Sequence, residues 1–190
     1  NANLQDADLT DAWMPGADLE DANLQRANLR GADLWNETLE LVNEENKEGV
    51  DMQRADLTNA ILENADLRRV RLRSATLVNA NLRVADLRDA ELSESNFQGA
   101  DLSGANLEDV YLYGVSFQAA NLSDTDLRNA SFSRAELQGT NFSGANLKEA
   151  RFEDESNLQG ANFRGANLRC AQFSSSVNLT GANLQDADLR

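Results

Sequence analysis

The sequence predicts an all-β solenoid whose coils have four sides, and three observations lead to this fold class. A five-residue unit repeats along nearly the whole chain, ten of the eleven glycines fall at one position of that unit, and several phenylalanines recur at intervals of four units. Self-similarity at a short fixed period is the signature of a repeat architecture, in which each unit packs mainly against its neighbours. We therefore expect one elongated domain over residues 1–190.

The unit consists of a small residue, Asp or Asn, a central Leu or Phe, and two variable polar residues. Thirty-six centres occur, of which 27 are Leu, seven are Phe and two are Met14 and Met52. The small residue is Ala in 26 units and Val, Ser or Thr in nine, with Glu37 as the one exception, and Asp or Asn precedes 24 centres. Leu and Ala are therefore expected to form two inward columns.

The spacing within the unit indicates a short strand followed by a corner. A strict period of five would spiral around an α-helix and bury no face, whereas the two apolar residues lie two positions apart, as on one face of a strand. The ten glycines stand two positions after a centre, where a turn could use their tolerance of positive φ. Each unit is therefore predicted to form one side of a coil.

The number of sides follows from two independent spacings. Phe117 follows Phe97 by four units, and Phe163 follows Phe142 by four units and one extra residue, so four units per coil would stack these rings. Single-residue insertions precede Leu158 and Leu179, which places both at the same corner of consecutive coils. Thirty-six units then give about nine coils and a rod about 43 Å long, at roughly 4.8 Å per stacked strand.

The central residues of the rod are predicted to form its core. The positions expected to be most important for packing are Leu67, Leu87, Phe97, Leu107, Phe117, Phe132, Phe142, Phe152, Phe163 and Phe173.

The motif A(D/N)LXX, which runs from Ala2 to the C-terminus with one interruption, resembles the pentapeptide-repeat family. The resemblance implies a right-handed quadrilateral parallel β-helix, with the central and small residues inward and the other three outward. Its repeats are similar to those of cyanobacterial members. The architecture also has a more distant likeness to the quinolone-resistance members, in which projecting loops matter for the protection of gyrase.

Composition narrows the possible functions. The chain has no histidine, the commonest general base and metal ligand, and its single cysteine cannot form an internal disulfide. We therefore expect no enzyme activity, no catalytic residue, no cofactor and no metal. A net charge of −15 argues against direct binding of nucleic acid, and no apolar run is long enough to predict a membrane span.

One acidic insertion interrupts the repeat at about residues 40–51, between the centres Leu39 and Met52. Two readings remain open for this segment: a solvated loop that the fold tolerates, or a recognition loop that projects from a rigid scaffold. Under the second reading, its candidate partner-binding residues are Glu44, Glu45, Lys47 and Glu48.

Exposed aromatic residues are the other candidates for partner binding. If the repeat frame carries across the insertion, Trp13 and Trp35 lie on the third face of the first two coils, where they contact either a partner or the inserted loop. Tyr111 and Tyr113 flank Leu112 on the first face and either bind a partner or pack between coils.

Charged side chains are expected to form a ladder on the fourth face. Arg and Lys recur there one position after the centre, beside a column of Asp and Asn one position before it. Such neighbouring columns are expected to neutralise each other, the alternative being a binding stripe. A run of six arginines between Arg68 and Arg88 is expected to form a local basic cluster.

These features favour a non-enzymatic scaffold that binds another protein, of unidentified nature. The alternative is a DNA-mimicking regulator of gyrase or topoisomerase, because similar rods in the family combine duplex-like width with negative charge. Neither end shows a recognisable cap, so we expect either caps outside this sequence or a monomer with weak end-to-end association. The compartment is expected to be the cytoplasm or, if a targeting segment was removed, the thylakoid lumen or periplasm.

Overall fold

The computed structural model describes residues 2–14, 16–34 and 49–190. Successive units are joined by corners, and every fourth unit pairs in parallel with the unit below it. Four ladders of paired units result, so the described chain is a four-sided parallel β-helix, as the spacing of the phenylalanines predicts. No helix in these ranges is long and apolar enough to cross a membrane.

Continuous strands occur on one of the four faces. They are β1 (Tyr111–Tyr113), β2 (Ser131–Ser133), β3 (Arg151–Glu153) and β4 (Gln172–Phe173), in the sheet order β1-β2-β3-β4. Leu112 pairs with Phe132, Phe132 with Phe152, and Phe152 with Phe173. On the other three faces each unit contributes a single bridging residue, the one before its centre.

The hydrogen bonds explain why Asp or Asn precedes most centres. In the unit centred on Leu102, four backbone N–H groups donate to backbone carbonyls, two in the following coil, one in the preceding coil and one across the corner. The fifth, that of Ser103, donates to Oδ1 of Asp101 over 3.0 Å. The short side chain thus satisfies the one donor that the coil leaves over, which is the purpose of an Asx turn.

Corners use left-handed backbone at the second residue after the centre. All ten glycines at this position have φ between 62° and 72°, as predicted. The corner is closed by a hydrogen bond from the third residue after the centre to the central carbonyl, as from Ala105 N to Leu102 O at 2.9 Å. Asp, Asn and Arg adopt the same conformation at many other corners, and even Val84 does so, with φ of 58°.

The inward columns pack as a continuous apolar core. Of the ten core positions named above, nine are buried, whereas Phe173 is only partly buried because its strand is the last one on its face. Phe97 stacks on Phe117 with ring centroids 4.9 Å apart, and Phe142 stacks on Phe163 at 5.0 Å. Phe132, Phe152 and Phe173 form a further stack, which meets the Phe142 stack edge to face across the core.

The structure corrects the predicted assignment of units to faces across the insertion. Asp51 pairs with Asp18, whereas the predicted frame would pair it with Asn23, and Val50 N donates across the corner to Leu34 O. The face after Leu34 is therefore formed by Val50–Met52 and not by the unit centred on Leu39. Leu39 itself lies outside the described residues. Glu37 would occupy the inward small-residue column if its unit were a side, and burying that charge would be unfavourable.

Two consequences follow for the predicted boundaries. Val50 is fully buried in the core and Asp51 pairs with neighbouring coils, so both belong to the rod and not to the interruption at about 40–51. Trp13 pairs with Asp33, which in turn pairs with Asp66. Trp13 therefore lies on the face that carries the predicted charge ladder, so the prediction that these residues occupy two different faces, which assumed that the repeat frame carries across the insertion, was wrong.

The two single-residue insertions lie at one corner of consecutive coils, as predicted. Arg151 pairs with Gln172 before that corner and Asn157 pairs with Asn178 after it, so the register is kept. The Ser156 hydroxyl accepts a hydrogen bond from Ala135 N at 3.1 Å and donates to Glu153 O at 2.7 Å. The extra residue is thus accommodated without an unsatisfied polar group at Ser156.

Candidate functional site

The most distinctive surface is the one that carries the continuous strands, here called the strand face and defined by the outward residues of β1 to β4. None of these strands has Asp or Asn before its centre. The N–H after the centre is therefore not taken by an Asx turn, and that of Ser174 instead donates to Phe152 O in the preceding coil over 2.9 Å. The strands of this face are thus continuously hydrogen-bonded, and their outward positions do not require Asp or Asn.

Aromatic side chains occupy the first strand of this face. Tyr111 is 55% exposed, and its ring stacks on that of Tyr113 with centroids 6.3 Å apart. Arg134 Nη1 donates a hydrogen bond to the Tyr113 hydroxyl at 3.1 Å, and its guanidinium lies 5.7 Å from the Tyr113 ring centroid. Tyr113 is therefore held by contacts between coils, whereas Tyr111 presents most of its ring to solvent.

Smaller side chains follow in the next coil. Ser131 and Ser133 are buried between strands that carry longer side chains, and Ser133 Oγ donates to Asp154 Oδ2 at 2.6 Å. On the other side of Tyr111, a shallow groove of about 350 Å³ is lined by Arg73, Ala90, Glu91, Ser93 and Tyr111. The exposed tyrosine thus forms the edge of a recess that contains both signs of charge.

The predicted site residues are not brought together in one place. Trp13 is 65% exposed on a different face from the tyrosines, in the first described coil. Trp35, Glu44, Glu45, Lys47 and Glu48 lie outside the described residues. The structure therefore places Tyr111, Tyr113 and Trp13, and it adds Arg134, which the sequence pattern did not single out.

A signal for Arg134 was nevertheless present in the sequence. Arg134 follows Tyr113 by four units and one residue, so it is one position further along the next coil and within reach of the tyrosine ring. The spacing used for the phenylalanine stacks, if applied to outward positions as well, would have identified this pair.

The predicted charge ladder is present on the face that includes Asp66 and Asp188. Arg68, Arg88, Arg128 and Arg190 each pair with the Asp two positions earlier, at 2.5 to 2.8 Å. Partial burial opposes ionisation of Asp86, but the hydrogen bonds and charge of Arg88 outweigh this effect and lower the pKa of Asp86 below its ordinary value. The two columns largely neutralise each other, as predicted.

The predicted basic cluster does not form a single patch. Its six arginines are distributed over three faces, because consecutive units turn the corner every five residues. Several pair with acids in neighbouring coils, such as Arg71 with Asp51 in the preceding coil at 2.9 Å and Arg83 with Asp101 in the following coil at 3.9 Å. A run of basic residues along the chain is therefore divided among three faces of the rod.

One group of carboxylates lies close enough together to suggest a cation site. Asp18, Glu20 and Asp51 each place an oxygen within 4.8 Å of the others. Arg54 pairs with Glu20, and Arg71 pairs with Asp51. Arginines therefore already supply positive charge to this cluster.

Comparison with protein-family models decides the classification. A model described as a pentapeptide repeat region matches residues 50–127 and 105–184, and a model of eight pentapeptide repeats matches residues 2–34. The chain belongs to the pentapeptide-repeat family. Together the matched ranges account for all four ladders of the rod.

Solved structures with similar folds are also pentapeptide repeat proteins. HetL, involved in the regulation of heterocyst differentiation in the cyanobacterium Nostoc, is 28% identical, with 98% of this chain and 86% of HetL covered and a TM-score of 0.47. Rfr23 of the cyanobacterium Cyanothece is 28% identical over 94% and 87% of the two chains, with a TM-score of 0.26. Full-length QnrB1, a plasmid-mediated fluoroquinolone resistance protein, is 20% identical over 96% and 83%, with a TM-score of 0.40. No curated protein matches the sequence.

Proposed function

We propose that this pentapeptide-repeat protein is a non-enzymatic scaffold that binds another protein through the strand face. The observation that carries the proposal is the exposed ring of Tyr111 beside Tyr113 and Arg134. Tyrosine and arginine are enriched among the residues that dominate binding energy in protein interfaces. Because Tyr113 and Arg134 are already held in place, a partner would contact Tyr111 at little cost in conformational entropy.

The rest of the coil supports a binding role for this face. On the other three faces the residue before the centre usually forms an Asx turn, so it is restricted to Asp or Asn. The strand face is free of this restriction and carries Tyr111, Ser131, Arg151 and Gln172 at the equivalent position. Trp13 is a second candidate contact, because a tryptophan with 65% exposure is also favoured in interfaces.

The alternative, a DNA-mimicking regulator of gyrase, needs rows of carboxylates that are not opposed by cations. In the described residues 27 acids are interleaved with 16 arginines and lysines, and many of these form ion pairs. This arrangement weakens the negative field that such mimicry requires, so it favours the scaffold proposal.

A site-specific photo-crosslinker tests the proposal. Benzoylphenylalanine in place of Tyr111 should form a discrete covalent adduct with a partner in an extract of the source cells. The same probe in place of Ile61, an exposed apolar residue on another face, is the matched control. Adducts of the same size and yield at both positions, or none at Tyr111, would contradict the proposal.

A supercoiling assay separates the two candidate functions. The scaffold proposal predicts that gyrase is unaffected by saturating amounts of the chain. Inhibition or protection of gyrase would favour the DNA-mimic alternative, especially if it fell steeply as the salt concentration rose.

A further inference from the structure

One face of the rod is almost uncharged. This glutamine face consists of the outward residues from Thr76 to Gly181 in the ladder that joins Thr76, Asn96, Ser116, Glu136, Asn157 and Asn178. Among its outward residues Glu136 is the one charged side chain, whereas the same six coils carry five, nine and twelve charged side chains on the other three faces. In a chain with net charge −15, this neutrality is confined to one surface.

The residues of the glutamine face share two further properties. Gln98, Gln118, Gln138 and Gln159 occupy the same position in four consecutive coils, and Gln98 and Gln159 are exposed. The adjacent corner carries Gly99, Ala119, Gly139, Gly160 and Gly181, and a Cβ at Gly139 or Gly160 would meet no atom within 4 Å. The corner is therefore low in relief, so a flat surface could approach the amides closely.

We infer that the glutamine face binds a second copy of this chain, with the two rods side by side and antiparallel. Two copies that approached through any of the other faces would bring charged columns together. A primary amide offers both donors and acceptors, so the exposed Gln98 and Gln159 are complementary to each other, as an interface with twofold symmetry requires.

The sequence of the face fits this symmetry in detail. A twofold axis between the coils of Gln118 and Gln138 places Gln118 opposite Gln138 of the second copy and Gln98 opposite Gln159. It also places Glu136 opposite Ser116, so that the two Glu136 carboxylates are not directly opposed. Within each chain Gln118 Nε2 donates to Glu136 Oε2, which gives this carboxylate a polar partner on its own rod.

The size of the face sets the expected affinity. Six coils at about 4.8 Å, with sides about 16 Å wide, give roughly 1,000 Å² buried by the two copies together. This area is at the lower bound for a specific interface, and the contacts are polar. The dimer is therefore expected to be weak, with a Kd in the micromolar range.

Charge pairing across the interface tests both the face and its orientation. In the double variant Gln98→Lys with Gln159→Glu, the antiparallel arrangement places each new lysine opposite a new glutamate, so the dimer should tighten. In Gln98→Lys with Gln159→Lys, like charges are opposed, so the Kd should rise about tenfold or more. Sedimentation equilibrium over a roughly hundredfold range of concentration around the micromolar Kd measures both effects.

Two controls make the result decisive. Ser103→Lys with Ser143→Lys adds the same charge on the neighbouring face and should leave the Kd unchanged. Because the two rods overlap over six of their nine coils, small-angle scattering should give a dimer about twelve coils long, roughly 58 Å, whereas end-to-end association would give about 86 Å. A wild-type chain that stays monomeric throughout, a doubled length, or an identical Kd for both glutamine variants would overturn the inference.

Discussion

At the corners of the rod, residues with side chains adopt a backbone conformation that glycine tolerates best. Asn and Asp accept left-handed backbone because their short side chains can hydrogen-bond locally, whereas a β-branched residue is strained there. Val84, with φ of 58°, is the β-branched residue among the described corners with positive φ. Its side chain is 58% exposed, so little packing compensates for the strain.

Val84→Asn is therefore expected to raise the free energy of unfolding by about 1 kcal/mol, measured by urea denaturation. The matched control is Asn64→Val, at the equivalent corner of the preceding coil, which should lower it by a similar amount. Destabilisation by Val84→Asn would show that φ is not the source of strain at this corner.

Gly49 is needed for a different reason, the close approach of two backbone segments. A Cβ on Gly49 would lie 2.4 Å from the carbonyl oxygen of Arg69. Because a backbone carbonyl cannot move aside as a flexible side chain can, Gly49→Ala should destabilise the rod by about 3 kcal/mol. Gly139→Ala, where φ is positive but the space is open, should cost only about 1 kcal/mol. Equal losses in the two thermal melts would contradict this distinction.

The corner glycines and the core leucines could largely be predicted, because each of them recurs at one position of the repeating unit. The reason for Asp or Asn before the centre could not be obtained from the pattern alone. It depends on which N–H group the coil leaves without a backbone acceptor, and that follows only once the pairing of all five groups is known.

Between coils, asparagine side chains form a ladder that parallels the backbone pairing. Asn121 Nδ2 donates to Asp101 Oδ1 at 2.9 Å, and its own Oδ1 accepts from Ser123 N and from Asn141 Nδ2. The ladder continues through Asn162 and Asn183. These bonds join successive coils along one face.

Asn121→Ala removes three hydrogen bonds and leaves the Ser123 N–H without its acceptor. We expect a loss of about 2 kcal/mol in chemical denaturation. Asn121→Asp keeps the acceptor for Ser123 but loses the amide donor to Asp101. Its loss should be intermediate at a pH where the introduced carboxyl group is protonated, and larger where two carboxylates face each other. Indistinguishable midpoints for wild type and Asn121→Ala would contradict a structural role for the ladder.

The charge ladder predicts a pH dependence. The pKa of Asp86 is lowered in the folded state, so the ionised form contributes stability that is fully present above the unfolded pKa of about 3.9 and is lost as the pH falls through the folded value. Asp86→Asn, which keeps an acceptor for Arg88 N, should cost up to about 1 kcal/mol at pH 7 and progressively less below pH 4. A penalty that is independent of pH would show that the charge is not responsible.

Among the elements, the four sides and the shared corner of the two single-residue insertions could be predicted, because each rested on a spacing. The location of the strand face could not, since it depends on where Asx turns are absent. The sequence pattern also failed to predict that the chain rejoins the rod at Val50, directly after the unit of Leu34. Glu37 in the small-residue column was the signal, because an inward glutamate is incompatible with a side centred on Leu39.

At the scale of the whole molecule, the structure shows how the net negative charge is distributed. Four net negative charges belong to residues 35–48, and the described residues carry the other eleven on all four sides of the rod. Charge pairs dominate one face, aromatics another, and amides a third. Net charge alone could not reveal this separation, because it requires the register that assigns each residue to a face.

The register is therefore the central claim, and cysteine cross-linking across the insertion tests it most directly. Gly31 N donates to Glu63 O, so residues 30 and 63 are neighbours in adjacent coils, about 5 Å apart at Cα and within reach of a disulfide. In a Cys170→Ser background, Arg30→Cys with Glu63→Cys should cross-link rapidly under mild oxidation, and Arg30→Cys with Thr58→Cys should not. Cross-linking of residue 30 with residue 58, and not with 63, would show that the unit of Leu39 is a side of the rod and would contradict the assignment of faces.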